Sequence, residues 1–232
     1  MSRPTDTLVV IPTLNERENL AELLGGIREH APRADVLLVD DGSTDGTVAL
    51  ARELGAEVME RGRRMGIGSA YRDGFAWGLG RHYARFVTMD GDLSHEPRYL
   101  PALIAATDDA DLAIGSRYLH GISVVNWDLM RLTLSVIANR YARAVTGLPV
   151  RDCTSGFQCF RRAVMERIDP ATLRCTGYAF LVELKYRAHR LGFRLREVPI
   201  IFVDRRYGSS KLGPRHVLQS TWNVSTFRLF AR

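Results

Sequence analysis

Residues 86–92, Phe86-Val87-Thr88-Met89-Asp90-Gly91-Asp92, run a short apolar segment straight into two aspartates separated by a glycine. Four such residues are too few for a helix, and the turn that follows at once marks the carboxyl end of a β-strand. The same grammar occurs twice upstream. Val36–Val39 ends in Asp40-Asp41-Gly42-Ser43, and Leu8–Ile11 runs to Pro12, which stops it as a strand, followed by Asn15-Glu16. Between these runs lie stretches of helical period. One spans about Glu16 to His30 and is closed by Pro32; a second runs to Gly55, with Thr44 or Asp45 as its cap. Glu57–Glu60 reads as a third strand and Ile67–Gly80 as a third helix, before the strand that leads to Asp90. Strands alternating with helices predict an α/β fold: a mostly parallel, Rossmann-like sheet with helices on its faces. In such sheets ligands bind outside the carboxyl ends of the strands, where all three polar clusters fall.

The second half is less regular. Asp111–Gly115 reads as a strand, Val125–Thr146 as a long helical region, Phe157–Phe160 as a strand and Tyr178–Leu191 as a helix. Leu195–Val203 is a further strand, and a closing helical segment begins near Pro214. No repeat, low-complexity tract or linker divides the chain. The expectation is one domain over residues 1–232, with a nucleotide-binding half at about 1–120 and an acceptor-binding half with a C-terminal surface helix at 121–232.

Bulk properties exclude several classes. The 232 residues are 46% hydrophobic and 25% charged, enough for one well-filled core. A formal charge of +6 suits phosphorylated ligands or an anionic membrane surface and falls short of a nucleic-acid signature. Cys153, Cys159 and Cys175 have no metal-ligand spacing, and their odd number argues for a reducing compartment. The N-terminal apolar run is too short for a signal peptide, and no run reaches the roughly 18–20 apolar residues of a spanning helix.

Asp90 and Asp92, two residues apart on a turn, can face one divalent cation bound to a diphosphate, since Mg²⁺ uses one or two carboxylates plus phosphate oxygens. An isolated triplet of this kind is more often a solvated acidic turn; the preceding strand and the other two clusters reverse that preference in favour of a site. Asp40 at a strand end can accept hydrogen bonds from a base or ribose, or can merely organise the turn that caps a helix. Gly66-Ile67-Gly68 lacks the spacing and lysine of a phosphate loop and reads as a helix start. Arg117 follows the strand ending at Gly115, and Arg131 and Ser135, four apart, share a helix face. Arginine's planar fork suits phosphate. Along that helix Met130, Leu134, Ile137, Tyr141 and Val145 form a stripe expected in the core. Leu129, Leu132, Val136, Arg140 and Arg143 lie on another side, which reads either as an interfacial helix face or as a solvated one. Arg205-Arg206-Tyr207-Gly208-Ser209-Ser210-Lys211 is a basic loop, able to close over phosphates or simply exposed.

These residues resemble a known family. IPTLNE (11–16), VDDGSTDGT (39–47), MDGDLSHEP (89–97) and GSRY (115–118) are similar to the family 2 glycosyltransferases of the GT-A fold. DCTSGF (152–157), GYAFLVEL (177–184), EVPIIF (197–202) and DRRYGSSKL (204–212) resemble, more narrowly, the dolichol- or polyprenol-phosphate mannose synthases. The resemblance implies inverting transfer of mannose from GDP-mannose to a polyprenyl monophosphate in a membrane. By it, Pro12, Asn15, Glu16 and Asp40 line the donor nucleotide site, and Asp90 and Asp92 hold Mg²⁺ or Mn²⁺ and the diphosphate. It implies that Arg117, Arg131 and Ser135 bind the acceptor phosphate, and that Arg205 and Lys211 contact donor phosphates; Asp92, Arg117 and Arg131 are then the catalytic set. Ser94 stands where many relatives carry Gln, and is the candidate for a third metal contact, direct or through water. Several relatives continue into transmembrane helices, so the expected location is peripheral, on the cytoplasmic face of a membrane, with surface helices or a membrane-anchoring partner subunit. No nucleic-acid partner is expected. His95 is not needed as a base, because a phosphate monoester is largely ionised near neutral pH. Competing readings are a UDP-glucose-dependent enzyme of the same fold, a nucleotidyltransferase, and a non-catalytic binding subunit.

Overall fold

The computed structural model describes residues 6–177 and 179–204. Its central sheet has seven strands: β1 (Thr7–Thr13), β2 (Ala34–Asp40), β3 (Glu57–Glu60), β4 (Arg85–Thr88), β5 (Leu112–Ser116), β7 (Gln158–Arg161) and β8 (Leu195–Pro199). Their spatial order is β3-β2-β1-β4-β7-β5-β8. All neighbours run parallel except around β7, which is antiparallel to both β4 and β5. The sheet is therefore mostly parallel and draws strands from both halves of the chain. Helices α1 (Arg17–His30), α2 (Thr47–Glu53), α3 (Ile67–Leu79), α4 (Leu100–Asp109), α6 (Arg162–Ile168) and α7 (Ala179–Arg190) flank it. Two buried apolar clusters fill the layers. One is centred on Tyr71, Phe75, Phe86, Phe160 and Phe180, the other on Val9, Ile11, Leu20, Leu23 and Phe157. A mostly parallel seven-stranded sheet flanked by helices is the α/β architecture expected from the sequence.

Several boundaries differ from expectation. β1 does not stop at Pro12 but runs through it to Thr13, pairing Pro12 with Val39 of β2. Pairing with β4 ends at Val10, whose carbonyl accepts the Met89 amide. Pro12 has the same parity, so its missing N–H falls on the side where the ladder has already ended. The expected strand over 195–203 is broken into β8 and a two-residue β9 (Phe202–Val203), because β9 leaves the main sheet to pair with β6 (Val124–Val125). The long helix α5 (Leu129–Thr146) starts four residues after Val125, capped by Asp128, whose carboxylate accepts the Arg131 amide. Gly46, with no side-chain cap, heads α2 in place of the expected Thr44 or Asp45; the Asp45 carboxylate accepts the amide and hydroxyl of Thr47, the first residue of the helix.

The apolar stripe on α5 is the main correction. Met130 is 69% exposed, and Leu134 and Ile137 are more than half exposed. Only Asn139, Ala142 and Thr146 are buried, with Tyr141 and Val145 packed partly against the core. The C-terminal half of the helix packs on the domain, while the N-terminal half meets it through Arg131 and Ser135 and leaves its apolar side chains exposed among the described residues. With Leu129, 82% exposed, the first turns present an exposed apolar surface among the described residues. Among the described residues no helix is long and apolar enough to cross a membrane. The closing helix expected near Pro214 lies outside the described residues.

Candidate active site

Because β1, β2 and β4 are adjacent and parallel, their carboxyl ends bring the three polar clusters to one edge. The Asn15 side chain accepts the Thr44 amide at 2.9 Å, and its own amide donates to Ser43 Oγ at 2.8 Å. Asn15 holds this link in the left-handed region, at φ 53°, a conformation Asn tolerates better than most residues. Glu16 receives a bond from Asn19 Nδ2, and its Cγ lies 3.5 Å from where a Cβ on Gly91 would stand. The first loop thus touches both the second loop and the Asp90-Gly91-Asp92 turn. Asp40 is buried, with its oxygens taken from within: Oδ1 accepts the Gly42 and Ser43 amides, and Oδ2 accepts Ser43 Oγ and Thr13 Oγ1. Four bonds fill a carboxylate's acceptor positions, so Asp40 shapes the loop. The reading of Asp40 as a turn organiser fits this geometry better than a direct ribose contact. Asp41 pairs with the buried Arg61 and accepts the Met65 and Gly66 amides, tying the loop after β3 to the same edge.

At the aspartate turn, Ser94 Oγ donates to Asp92 Oδ1 at 2.5 Å. His95 is buried, stacked on Phe157 at 5.0 Å, with Nδ1 accepting the Asp90 amide at 3.0 Å. An accepting nitrogen carries no proton, so this imidazole is neutral with its hydrogen on Nε2. Burial pulls it down to about 4, against the opposing pull of Asp92. His95 therefore braces the turn. Asp90, Asp92 and Ser94 form an all-oxygen donor set, the chemistry of hard divalent cations. Among the described residues no three acidic, histidine or cysteine side chains converge as a complete protein cage. A cation that shares its shell with a diphosphate needs only one or two protein carboxylates.

The three expected acceptor-phosphate residues are brought together, though each already has a partner. Arg117 is buried in a fork with fully buried Asp152: Nε to Oδ2 and Nη2 to Oδ1, both at 2.8 Å, while its amide donates to Oδ2 and Nη2 also reaches Thr154 Oγ1. Burial alone would raise the Asp152 carboxyl, but the Arg117 charge and its hydrogen bonds hold it below the usual carboxylate range. Arg131 Nη1 lies 2.5 Å from Asp204 Oδ2, and Ser135 Oγ lies 2.9 Å from the Tyr118 hydroxyl. Both guanidiniums face the Trp127 ring, at 4.5 Å for Arg131 and 5.7 Å for Arg117. Phe202 meets the Trp127 ring edge-on at 5.4 Å and the His95 ring at 5.6 Å, and the Arg117 guanidinium lies over it at 5.6 Å. The aspartate turn and the arginine cluster are thus linked through contacts of His95, Phe202 and Trp127. Arg205 and Lys211 lie outside the described residues.

Asp152, Trp127, Phe202, Asp204 and Lys185 carry this arrangement and were given no individual role by the sequence. Loop 152–157 is clamped from four elements. Glu197 on β8 accepts the Asp152 amide, Asn139 on α5 accepts the Cys153 amide, Thr88 on β4 donates to the Gly156 carbonyl, and Lys185 on α7 donates to the Ser155 carbonyl at 2.7 Å. Lys185 is completely buried, and burial draws its ammonium down to about 7 against the pull of Asp152. The motifs DCTSGF and DRRYGSSKL contain Asp152 and Asp204, which was the only available signal for them.

A strand-end carboxylate turn linked to a guanidinium cluster, on a mostly parallel sheet with one antiparallel insertion, is the arrangement that the resemblance to GT-A glycosyltransferases implies. The chain belongs to glycosyl transferase family 2, whose family model matches residues 8–169. Among curated relatives it is similar to polyprenol monophosphomannose synthase of Mycolicibacterium smegmatis, at 44% identity over 238 residues covering 99% of this chain and 90% of that one. It is also similar to undecaprenyl-phosphate mannosyltransferase of Micrococcus luteus, at 42% identity over 97% of this chain and 95% of that one. Glucosyl-3-phosphoglycerate synthase of Mycobacterium tuberculosis, solved with Mn²⁺, UDP and glucosyl-3-phosphoglycerate, shares the fold: TM-score 0.70 at 20% identity, over 98% of this chain and 79% of that one.

Proposed function

We propose that this chain transfers mannose from GDP-mannose to a polyprenyl monophosphate, with inversion at the anomeric carbon and with Mg²⁺ or Mn²⁺ in the site. The observation that carries the reading is continuity: the oxygen-donor turn of Asp90, Asp92 and Ser94 leads through His95 and Phe202 to a tryptophan shared by two arginines. A site with a carboxylate pair at one end and guanidiniums at the other suits two anionic substrates, one of them metal-bound. The names of the two mannosyl-transferring relatives support the same donor sugar and acceptor class.

Asp90 and Asp92, with Ser94 orienting Asp92, are the residues that would hold the metal, which when bound supplies charge to stabilise the departing nucleoside diphosphate. Arg131 receives the acceptor phosphate in exchange for Asp204, with Ser135 beside it. Arg117, fixed by Asp152, supplies positive charge between the two phosphates. No proton need be removed from the acceptor, because the second pKa of a phosphate monoester is about 6. His95 is accordingly spared for its bond to the Asp90 amide. Catalysis reduces to aligning two substrates and excluding water. The exposed Leu129, Met130, Leu134 and Ile137 lie on the helix that carries Arg131, a surface suited to resting on the bilayer that holds a lipid acceptor. That surface supports a peripheral position on a membrane; the cytoplasmic face is the side that the family resemblance implies.

Asp92→Ala tests the proposal. The variant is expected to fold and to lose metal-dependent turnover; normal activity would refute the metal assignment and with it the mechanism.

A further inference from the structure

The acceptor cluster contains one polar atom with no role so far. Trp127 Nε1 is buried and, among the described residues, makes no hydrogen bond. An indole N–H left unmet in a protein interior is destabilising, and such exceptions call for a reason. Trp127 is no incidental core residue. Its ring is the plane over which Arg131 lies at 4.5 Å, it is within 5.7 Å of the Arg117 guanidinium, and Phe202 packs against it. It also sits just before the Asp128 cap that starts α5, so it is fixed relative to Arg131 by three residues of capped turn. The Arg131–Asp204 pair alongside is partly open to solvent, at 36% and 26% of side-chain area. A carboxylate on an exposed guanidinium is readily exchanged for another oxyanion.

We propose that the Trp127 Nε1–H is a hydrogen-bond donor to the acceptor phosphate, completed when that phosphate replaces Asp204 on Arg131. This rests on the acceptor-phosphate reading above and extends it from charge to directional recognition. Guanidinium and ammonium groups attract any anion. A fixed, desolvated N–H selects for an oxygen at one place, and the bond it lacks among the described residues would be supplied on binding. Trp127 would thus share with Arg131 the discrimination between a prenyl phosphate and the corresponding prenyl alcohol.

The test uses the full chain and a C15 prenyl monophosphate, titrated calorimetrically, with the C15 alcohol and GDP-mannose as separate titrants. Two variants divide the question. Trp127→Phe keeps an aromatic face and removes the N–H, and replacement of the indole at 127 by the isosteric benzothiophene keeps both rings and removes only the N–H. The expected result is a roughly tenfold weaker prenyl phosphate affinity in the benzothiophene protein, ~1.4 kcal/mol. Its thermal midpoint should be equal to or above that of the unmodified protein, and its GDP-mannose affinity unchanged. Trp127→Phe should be weakened at least as much. Wild-type affinity for prenyl phosphate in the benzothiophene protein overturns the inference, even if Trp127→Phe binds poorly, because the ring alone would then account for the effect. Failure of the unmodified protein to bind prenyl phosphate any better than the alcohol overturns the acceptor reading itself.

Discussion

Replacing Asp152 by Asn should damage both stability and turnover, and its size can be worked from the structure. Asp152 is fully buried and Arg117 nearly so, and the carboxylate accepts the Arg117 amide, Nε and Nη2 at 2.8–3.0 Å. Asn keeps the shape, but it turns one acceptor into an NH₂ that meets a guanidinium donor head-on. It also leaves a buried cation without its counter-charge. Removing one partner of a buried pair costs about 3–5 kcal/mol. For a chain of 232 residues that corresponds to a fall in melting temperature of roughly 6–20 °C. Urea unfolding of Asp152→Asn, Arg117→Met and the double variant gives the coupling directly, with roughly 2–3 kcal/mol expected. The double variant, having no orphaned charge, should recover much of the stability while remaining inactive. An Asp152→Asn protein with wild-type midpoint and slope would refute the reasoning, since it would mean the ion pair does not hold loop 152–157 against β5.

Arg131→Ala should raise the KM for prenyl phosphate about tenfold or more while leaving that for GDP-mannose within about twofold; unchanged acceptor kinetics would remove Arg131 from the site. Lys185 gives a pH signature. Its ammonium titrates near 7 in the folded chain and near 10.5 when exposed, so between these values the unfolded chain holds a proton that the folded one lacks, and stability rises with pH. Above about 9 the buried thiols of Cys153, Cys159 and Cys175, pushed up by burial, oppose the rise. The visible window is therefore pH 7 to 9, with a gain of ~2–3 kcal/mol from Lys185. Urea titrations should show it in the wild type and not in Lys185→Met, and identical slopes in the two would contradict it. Gly74→Ala should destabilise strongly, because a Cβ there would stand 2.5 Å from Val10 Cγ1 in the β1–α3 interface. A wild-type melting temperature would show that this interface can give way.

The first half of the fold was legible because each strand is short, apolar and ended by a turn residue. Glu57–Glu60 and the start of α3 at Ile67 fall where the pattern puts them. The second half is built by partners distant in sequence. β7 inserts antiparallel between β4 and β5, a choice that its own residues do not encode. The helical period along 129–146 correctly groups Met130, Leu134 and Ile137 on one face, but period alone cannot say what covers a face, and among the described residues these three stay exposed. The site shows the same division. Asp90, Asp92, Arg117, Arg131 and Ser135 stood out by chemistry and place. Their supports did not, because Arg117 meets Asp152 across 35 residues and Arg131 meets Asp204 across 73. Asp40 illustrates the converse: an acidic residue at a strand end, correctly located, that the fold uses to shape its own loop.

The most direct test of the central claim is transfer of labelled sugar to a short polyprenyl monophosphate, with GDP-mannose and UDP-glucose as parallel donors. Each is assayed with Mg²⁺, with Mn²⁺ and with chelator. The account predicts label in the organic phase from GDP-mannose, present with either metal and abolished by chelator. Label from UDP-glucose alone would contradict the assigned donor, and label from neither would contradict the assigned reaction.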